Sequence, residues 1–169
     1  MNMITLASSY ELVAHPATAL LLGGLIAAIF RGRIASIALI LAPLLGLWHV
    51  HALEIGGVSI LNIFGYEILG VSVDQQAKVF GYLFHVAAFV AGIYSLHVRD
   101  PWQVSMALFY AATAVGVAFA GDMLSLFLWW EGLAITSVFQ IWGRKTKMAE
   151  DAGFRYLFFH VSSGLLLLF

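Results

Sequence analysis

Six apolar stretches alternate with short polar ones along this chain. Leu12–Phe30 is ended by Arg31 and Arg33, and Ile34–Leu53 closes around His49, His51 and Glu54. Ala77–His97 runs into Arg99, Asp100 and Pro101, and Gln103–Ala120 is closed by Gly121 and Asp122. Met123–Trp142 leads into the basic segment Gly143–Lys147, and Phe154–Phe169 begins a sixth stretch. About 20 apolar-dominated residues cross the roughly 30 Å core of a bilayer as a helix. The pattern predicts an all-α polytopic transmembrane bundle of about six helices (about 12–30, 34–53, 77–97, 103–120, 123–142 and 154–169). No Gly/Ser-rich or Pro-rich linker divides them, so residues 1–169 read as one transmembrane domain.

The long connection spans residues 54–76. Within it, Val58 and Ile60, then Val71 and Val73, flank a Gly-Tyr-Glu centre, the alternation of a short hairpin or extended loop outside the bilayer core. The last stretch, Phe154–Phe169, is 16 residues. At 1.5 Å per residue it covers about 24 Å, and it stops on Leu-Leu-Leu-Leu-Phe without an interfacial anchor. The expectation is the N-terminal part of a longer subunit.

Composition fixes the solvent. Hydrophobic residues make up 62% and charged residues only 10% of the chain, which a water-soluble domain of this length does not tolerate. Cysteine is absent, excluding disulfides, thiolate metal sites and thiol catalysis. No basic region followed by a short apolar core precedes a cleavage site, so no signal peptide is expected. The net charge of −1 is uninformative, but its distribution is not. Arg31, Arg33, Arg99, Arg144, Lys145, Lys147 and Arg155 all fall in odd-to-even connections, seven of the eight basic residues. The other side carries Lys78 with Glu11, Glu54, Glu67, Asp74 and Asp122. The positive-inside rule then predicts a multi-pass protein of the cell (inner) membrane with an outward N-terminus and cytoplasmic loops at 31–33, 99 and 144–155.

Against this background Glu131 stands out. It lies near the middle of a 20-residue run, MLSLFLWWEGLAITSVFQIW, that is otherwise uncharged. A charge at that depth costs roughly 2.5–3.5 kcal/mol on insertion scales, so the residue is paired, protonated, or alternates between the two. Its helical neighbours are Phe127, Leu128, Ala134 and Ile135, so a partner has to come from another helix. Ser125, Gly132, Thr136 and Gly143 form a separate stripe suited to close helix packing. His160 and His85 also fall inside apolar runs, where a side chain titrating near neutrality can relay protons or simply pack. His49, His51 and His97 lie near helix ends and read as interfacial. Asp122 is placed to cap the fifth helix, and Arg144, Lys145 and Lys147 to complement its C-terminus and meet anionic lipid. Trp129 and Trp130 are mid-helix and read as packing around Glu131. Phosphate-binding loops, nucleophile elbows and paired metal ligands at helical spacing are missing from the sequence.

The segment Phe119–Arg144 resembles the fifth-helix signature of the antiporter-like membrane subunits. These are shared by Mrp-type multisubunit cation/proton antiporters, respiratory complex I and membrane-bound hydrogenases. The resemblance rests on Asp122, Leu126-Phe127, Trp130, Glu131 and Ser137. Gly153-Phe154-Arg155-Tyr156-Leu157 with His160 and Gly164, and Val73-Asp74 before the third helix, are similar to that family as well. Ile93–Asp100 is similar to the D subunit of the Mrp-type antiporters. The resemblance implies a 14-helix subunit with outward-facing termini, in which the Glu131 position pairs with a lysine on a broken seventh helix. No lysine lies within the interior of an apolar run here: Lys78 is at an edge, and Lys145 and Lys147 are in a connection.

The expected function is therefore a proton- or cation-translocating subunit of a hetero-oligomeric membrane complex, most simply Mrp-type monovalent cation/proton antiport. Glu131 is the proton-transfer residue, with His160 and His85 as candidate relays. Protons, Na⁺ or K⁺, lipid and other membrane subunits are the partners; no cofactor, metal or nucleic acid is expected. The rivals are a proton-pumping subunit of a redox-driven complex, a structural scaffold, and a b-type cytochrome subunit ligating haem through His85 and His160.

Overall fold

The computed structural model describes residues 14–30, 32–63, 66–98 and 100–168. Glu11, Leu12, Arg31, Arg99 and Phe169, used above, lie outside them.

Six helices and one β-hairpin are formed: α1 (Thr18–Ile29), α2 (Arg33–Ala52), β1 (Val58–Ile63), β2 (Tyr66–Ser72), α3 (Gln75–Tyr94), α4 (Pro101–Phe119), α5 (Met123–Trp142) and α6 (Lys147–Leu168). A single 3₁₀ turn, Ser95–His97, extends α3. Among the described residues, α2, α3 with its 3₁₀ turn, α4 and α5 are long and apolar enough to cross a membrane.

Two boundaries depart from the apolar runs. α1 starts at Thr18, because Pro16 disfavours a helical residue before it and His15 folds back over the turn. There the His15 ring accepts from the Ala17 N–H and its carbonyl accepts from the Thr18 hydroxyl. α6 starts at Lys147, seven residues before its apolar part, with the Thr146 hydroxyl accepting from the Ala149 N–H. Residues 147–153 are polar enough to leave a bilayer yet good helix formers, so hydropathy placed the start too late.

α1, α2, α3 and α4 pack in a closed ring, each against the next and α4 against α1. α5 lies on α4, and α6 packs on α5. Small residues set the closeness: Gly23 meets Ala42 between α1 and α2, Gly81 meets Phe119 between α3 and α4, and Gly116 of α4 receives the Trp129 ring of α5. Leu20, Leu39, Val50, Leu108, Val115 and Phe119 fill the interior. The Ser105 hydroxyl donates to the Gly24 carbonyl (2.8 Å) across the buried α1–α4 contact. Outward faces carry large apolar side chains such as Ile29, Trp48 and Phe158, the surface that lipid accepts.

The hairpin expected between the second and third runs is present. β1 and β2 pair antiparallel from Val58↔Ser72 to Ile63↔Tyr66, with an irregularity at Ser59/Ile60. At this end Lys78 of α3 donates to the Leu53 carbonyl (2.6 Å) just past α2, and Asp74 caps α3 through the Ala77 N–H (2.6 Å). The opposite end is tied by Lys145 and Asp100 (3.3 Å) and by Gln103 donating to the Gly143 carbonyl (2.9 Å). The α3–α4 and α5–α6 connections therefore sit together.

Candidate site on the seam between α5 and α6

α5 is fixed first at its entrance. Asp122 accepts from the Ser125 N–H (2.7 Å), and the Ser125 hydroxyl accepts in turn from the Asp122 N–H (3.2 Å), a capping box. The same carboxylate accepts from the Leu69 N–H of β2 (2.6 Å), while the Leu69 carbonyl takes the Gly121 N–H (3.1 Å). Partial desolvation pushes the Asp122 carboxyl up, but the hydrogen bonds from Ser125, Leu69 and Leu124 prevail and hold it below the usual carboxylate range. The capping role read from the sequence is thus realised, with a docking role for the hairpin added.

The small-residue stripe of α5 faces α4: Gly132 lies against Thr113 and Gly143 against Gln103. Trp129 also turns to this side, entering the groove at Gly116 and meeting the His15 ring at a tilt, with centroids 4.6 Å apart. Trp129 therefore packs in the main bundle, whereas Trp130 alone joins Glu131 at the α6 side.

On that side α5 and α6 run antiparallel, and three pairs of residues meet in sequence. The Ser137 hydroxyl donates to the Tyr156 hydroxyl (2.8 Å). Trp130 stacks on His160, centroids 5.2 Å apart, and Tyr156 lies one turn away with its ring 5.4 Å from His160. Glu131 reaches Gly164, whose missing side chain leaves the room that the carboxylate occupies. Glu131 Oε1, Trp130 Nε1 and His160 Nε2 are all buried without a hydrogen-bond partner. Three polar atoms left unpaired on one seam are costly, and such groups mark sites for water, ions or exchanging protons.

Glu131 and His160 are thus brought to one seam. His85 is not: it is fully buried on α3, its Nδ1 donating to the Gly81 carbonyl (2.7 Å) and its Nε2 pressed on Gly46 of α2. Facing different helices, His85 and His160 do not form an axial pair. Among the described residues no three His, Asp or Glu side chains converge as metal ligands. His15 went unnoticed in the sequence because it lies near the start of its apolar run, away from the mid-run positions that drew attention to Glu131, His85 and His160. The signal available was its place immediately before Pro16, where the chain is biased to extended backbone and a helix start follows. Compared with family models, with curated proteins and with solved structures, the chain matches none.

Proposed function

We propose that this chain is a proton-translocating subunit of a larger membrane complex, of the antiporter-like kind, with Glu131 as its intramembrane proton carrier. The observation that carries the reading is Glu131 Oε1, buried at mid-helix without a hydrogen bond beside the orphaned Trp130 and His160 nitrogens. Ser137, Tyr156 and His160 then supply hydroxyl, hydroxyl and imidazole in order along the seam from the basic end towards Glu131. A charge approaching to about 4 Å is worth on the order of 4 kcal/mol at an effective dielectric of 20. That changes proton occupancy about a thousandfold, enough for a moving cationic partner to load and unload the carboxyl. The partner comes from a neighbouring segment or subunit, and Na⁺ or K⁺ is the exchanged cation in the antiport version.

In this reading α1 and α6 complete six membrane crossings. The N-terminus faces outward with the hairpin, and the Asp100–Lys145 end is cytoplasmic, as the concentration of basic residues there supports. The haem-ligating alternative loses support from the separation of His85 and His160.

The test is proton flux through the assembled complex reconstituted in liposomes. Glu131→Gln keeps the shape and removes the exchangeable proton, and is expected to abolish flux, with Glu131→Asp retaining a fraction. Flux equal to the parent in the Gln variant would overturn the proposal.

A further inference from the structure

The exit of α5 and the start of α6 enclose a surface cavity of about 450 Å³, lined by Trp142, Lys145, Thr146, Lys147, Glu150 and Phe154. Its lining is split in character. Trp142 and Phe154 pack with ring centroids 5.3 Å apart, and the Trp142 indole N–H donates to the Glu150 carbonyl (3.3 Å), which fixes an aromatic wall. The remainder is two ammoniums, a hydroxyl and a carboxylate. The apolar run of α5 ends at Trp142 and that of α6 begins at Phe154, so the wall marks where a bilayer core gives way to headgroups. From there Phe154, Phe158, Val161 and Leu165 recur at helical spacing, exposed along α6.

The polar groups of this cavity have bonding capacity to spare. Lys147 and Glu150 make no ion pair among the described residues. The Thr146 hydroxyl accepts from the Ala149 N–H (3.2 Å) and keeps its own hydrogen to donate. Lys145 gives one N–H to Asp100 and holds two more. Lys145 is also the one non-glycine residue with a positive φ (52°) among the described residues. Glycine takes that conformation freely, whereas a side chain there strains the backbone. An exposed pair with Asp100 is too weak to offset the strain, so a lysine at this position points to a further task for its ammonium.

We propose that this cavity binds an aminophospholipid of the phosphatidylethanolamine type. The phosphodiester takes Lys145, Thr146 and Lys147, the primary ammonium takes the Glu150 carboxylate, and an acyl chain lies on Phe154 and follows the exposed α6 stripe. Charge selects the headgroup. An anionic lipid without an amine leaves Glu150 beside a phosphate, and a choline group has no N–H to give it. Bound across the end of α5 and the start of α6, the lipid holds the two helices together, so the seating of α6 responds to bilayer composition.

Native mass spectrometry of the full chain in detergent, titrated with dioleoyl phosphatidylethanolamine, phosphatidylglycerol or phosphatidylcholine, tests this. A single tightly held ethanolamine lipid is expected, with the other two held more weakly. Lys147→Ala should weaken it about fivefold, the share of one lysine near an anionic headgroup. Lys145→Gly should weaken it similarly while leaving the lipid-free thermal midpoint unchanged or raised, because glycine relaxes the backbone. Glu150→Gln should move the preference towards phosphatidylglycerol. Hydrogen exchange should slow across residues 145–154 with the ethanolamine lipid and not with inorganic phosphate. Equal binding of ethanolamine and choline lipids, parent-like binding by both lysine variants, or protection by inorganic phosphate alone would sink the site. None of these readouts depends on Glu131, so the site and the proton-carrier reading stand or fall separately.

Discussion

Glu131 occupies the space that a side chain at Gly164 would fill. The carboxylate on α5 and the missing Cβ on α6 are therefore one feature. Gly164→Ala should push the carboxylate out of the seam. The overpacking is expected to cost about 1–3 kcal/mol, read as a lower thermal midpoint, together with loss of proton flux. Gly164→Ala with normal flux would show that the carboxylate works from another position.

Tyr156→Phe deletes the hydroxyl that accepts from Ser137 and leaves the ring against His160. Stability should fall by about 1 kcal/mol or less. Proton flux should drop several-fold, and Ser137→Ala should reproduce the effect without adding to it in the double variant. Additive losses would mean that the two hydroxyls act separately.

Asp122→Ala removes a cap and the hairpin's anchor together, and about 1–2 kcal/mol of stability should be lost, with protease sensitivity appearing in residues 58–72. Because the folded carboxyl is held below its usual range, this contribution is complete above the unfolded carboxylate's range. It is lost only as the pH falls from about 4 downward, through the folded value. An unfolding-midpoint profile that is flat from pH 5 to 7 and steeper in acid for the parent than for Asp122→Ala is the expected result.

Lys145 and Asp100 form an exposed pair, and Lys145 itself is 77% exposed. Lys145→Ala should change stability by less than about 0.5 kcal/mol, because water screens such pairs. Lys78→Met should cost more, about 1 kcal/mol, since it leaves the Leu53 carbonyl beyond α2 without its donor. Chemical denaturation of both variants in one detergent decides the order.

Much of this was legible in the sequence, for physical reasons that differ by residue. Glu131 announced itself because a carboxylate in an apolar run is expensive wherever it packs. Asp122 and the Gly132 stripe were readable because capping and close approach are local properties of one helix. The start of α6 was not, because a helix continues through polar residues that hydropathy excludes. His15 and His85 became informative only through Ala17, Gly81 and Gly46, backbone partners whose placement no spacing rule supplies. Trp129 and Trp130, adjacent in sequence, turn to opposite helices, which a shared packing role around Glu131 did not foresee.

α5 is braced along its length: the hairpin grips its entrance, α4 lines one flank, and Gln103 holds its exit. α6 rests mainly on α5, and Phe158, Phe159 and Leu166 face outward. Separating Glu131 from His160 by moving α5 means unpicking a whole bundle, whereas moving α6 opens one contact. Free energy for local opening follows the contacts broken, so α5 is the doorpost and α6 the door.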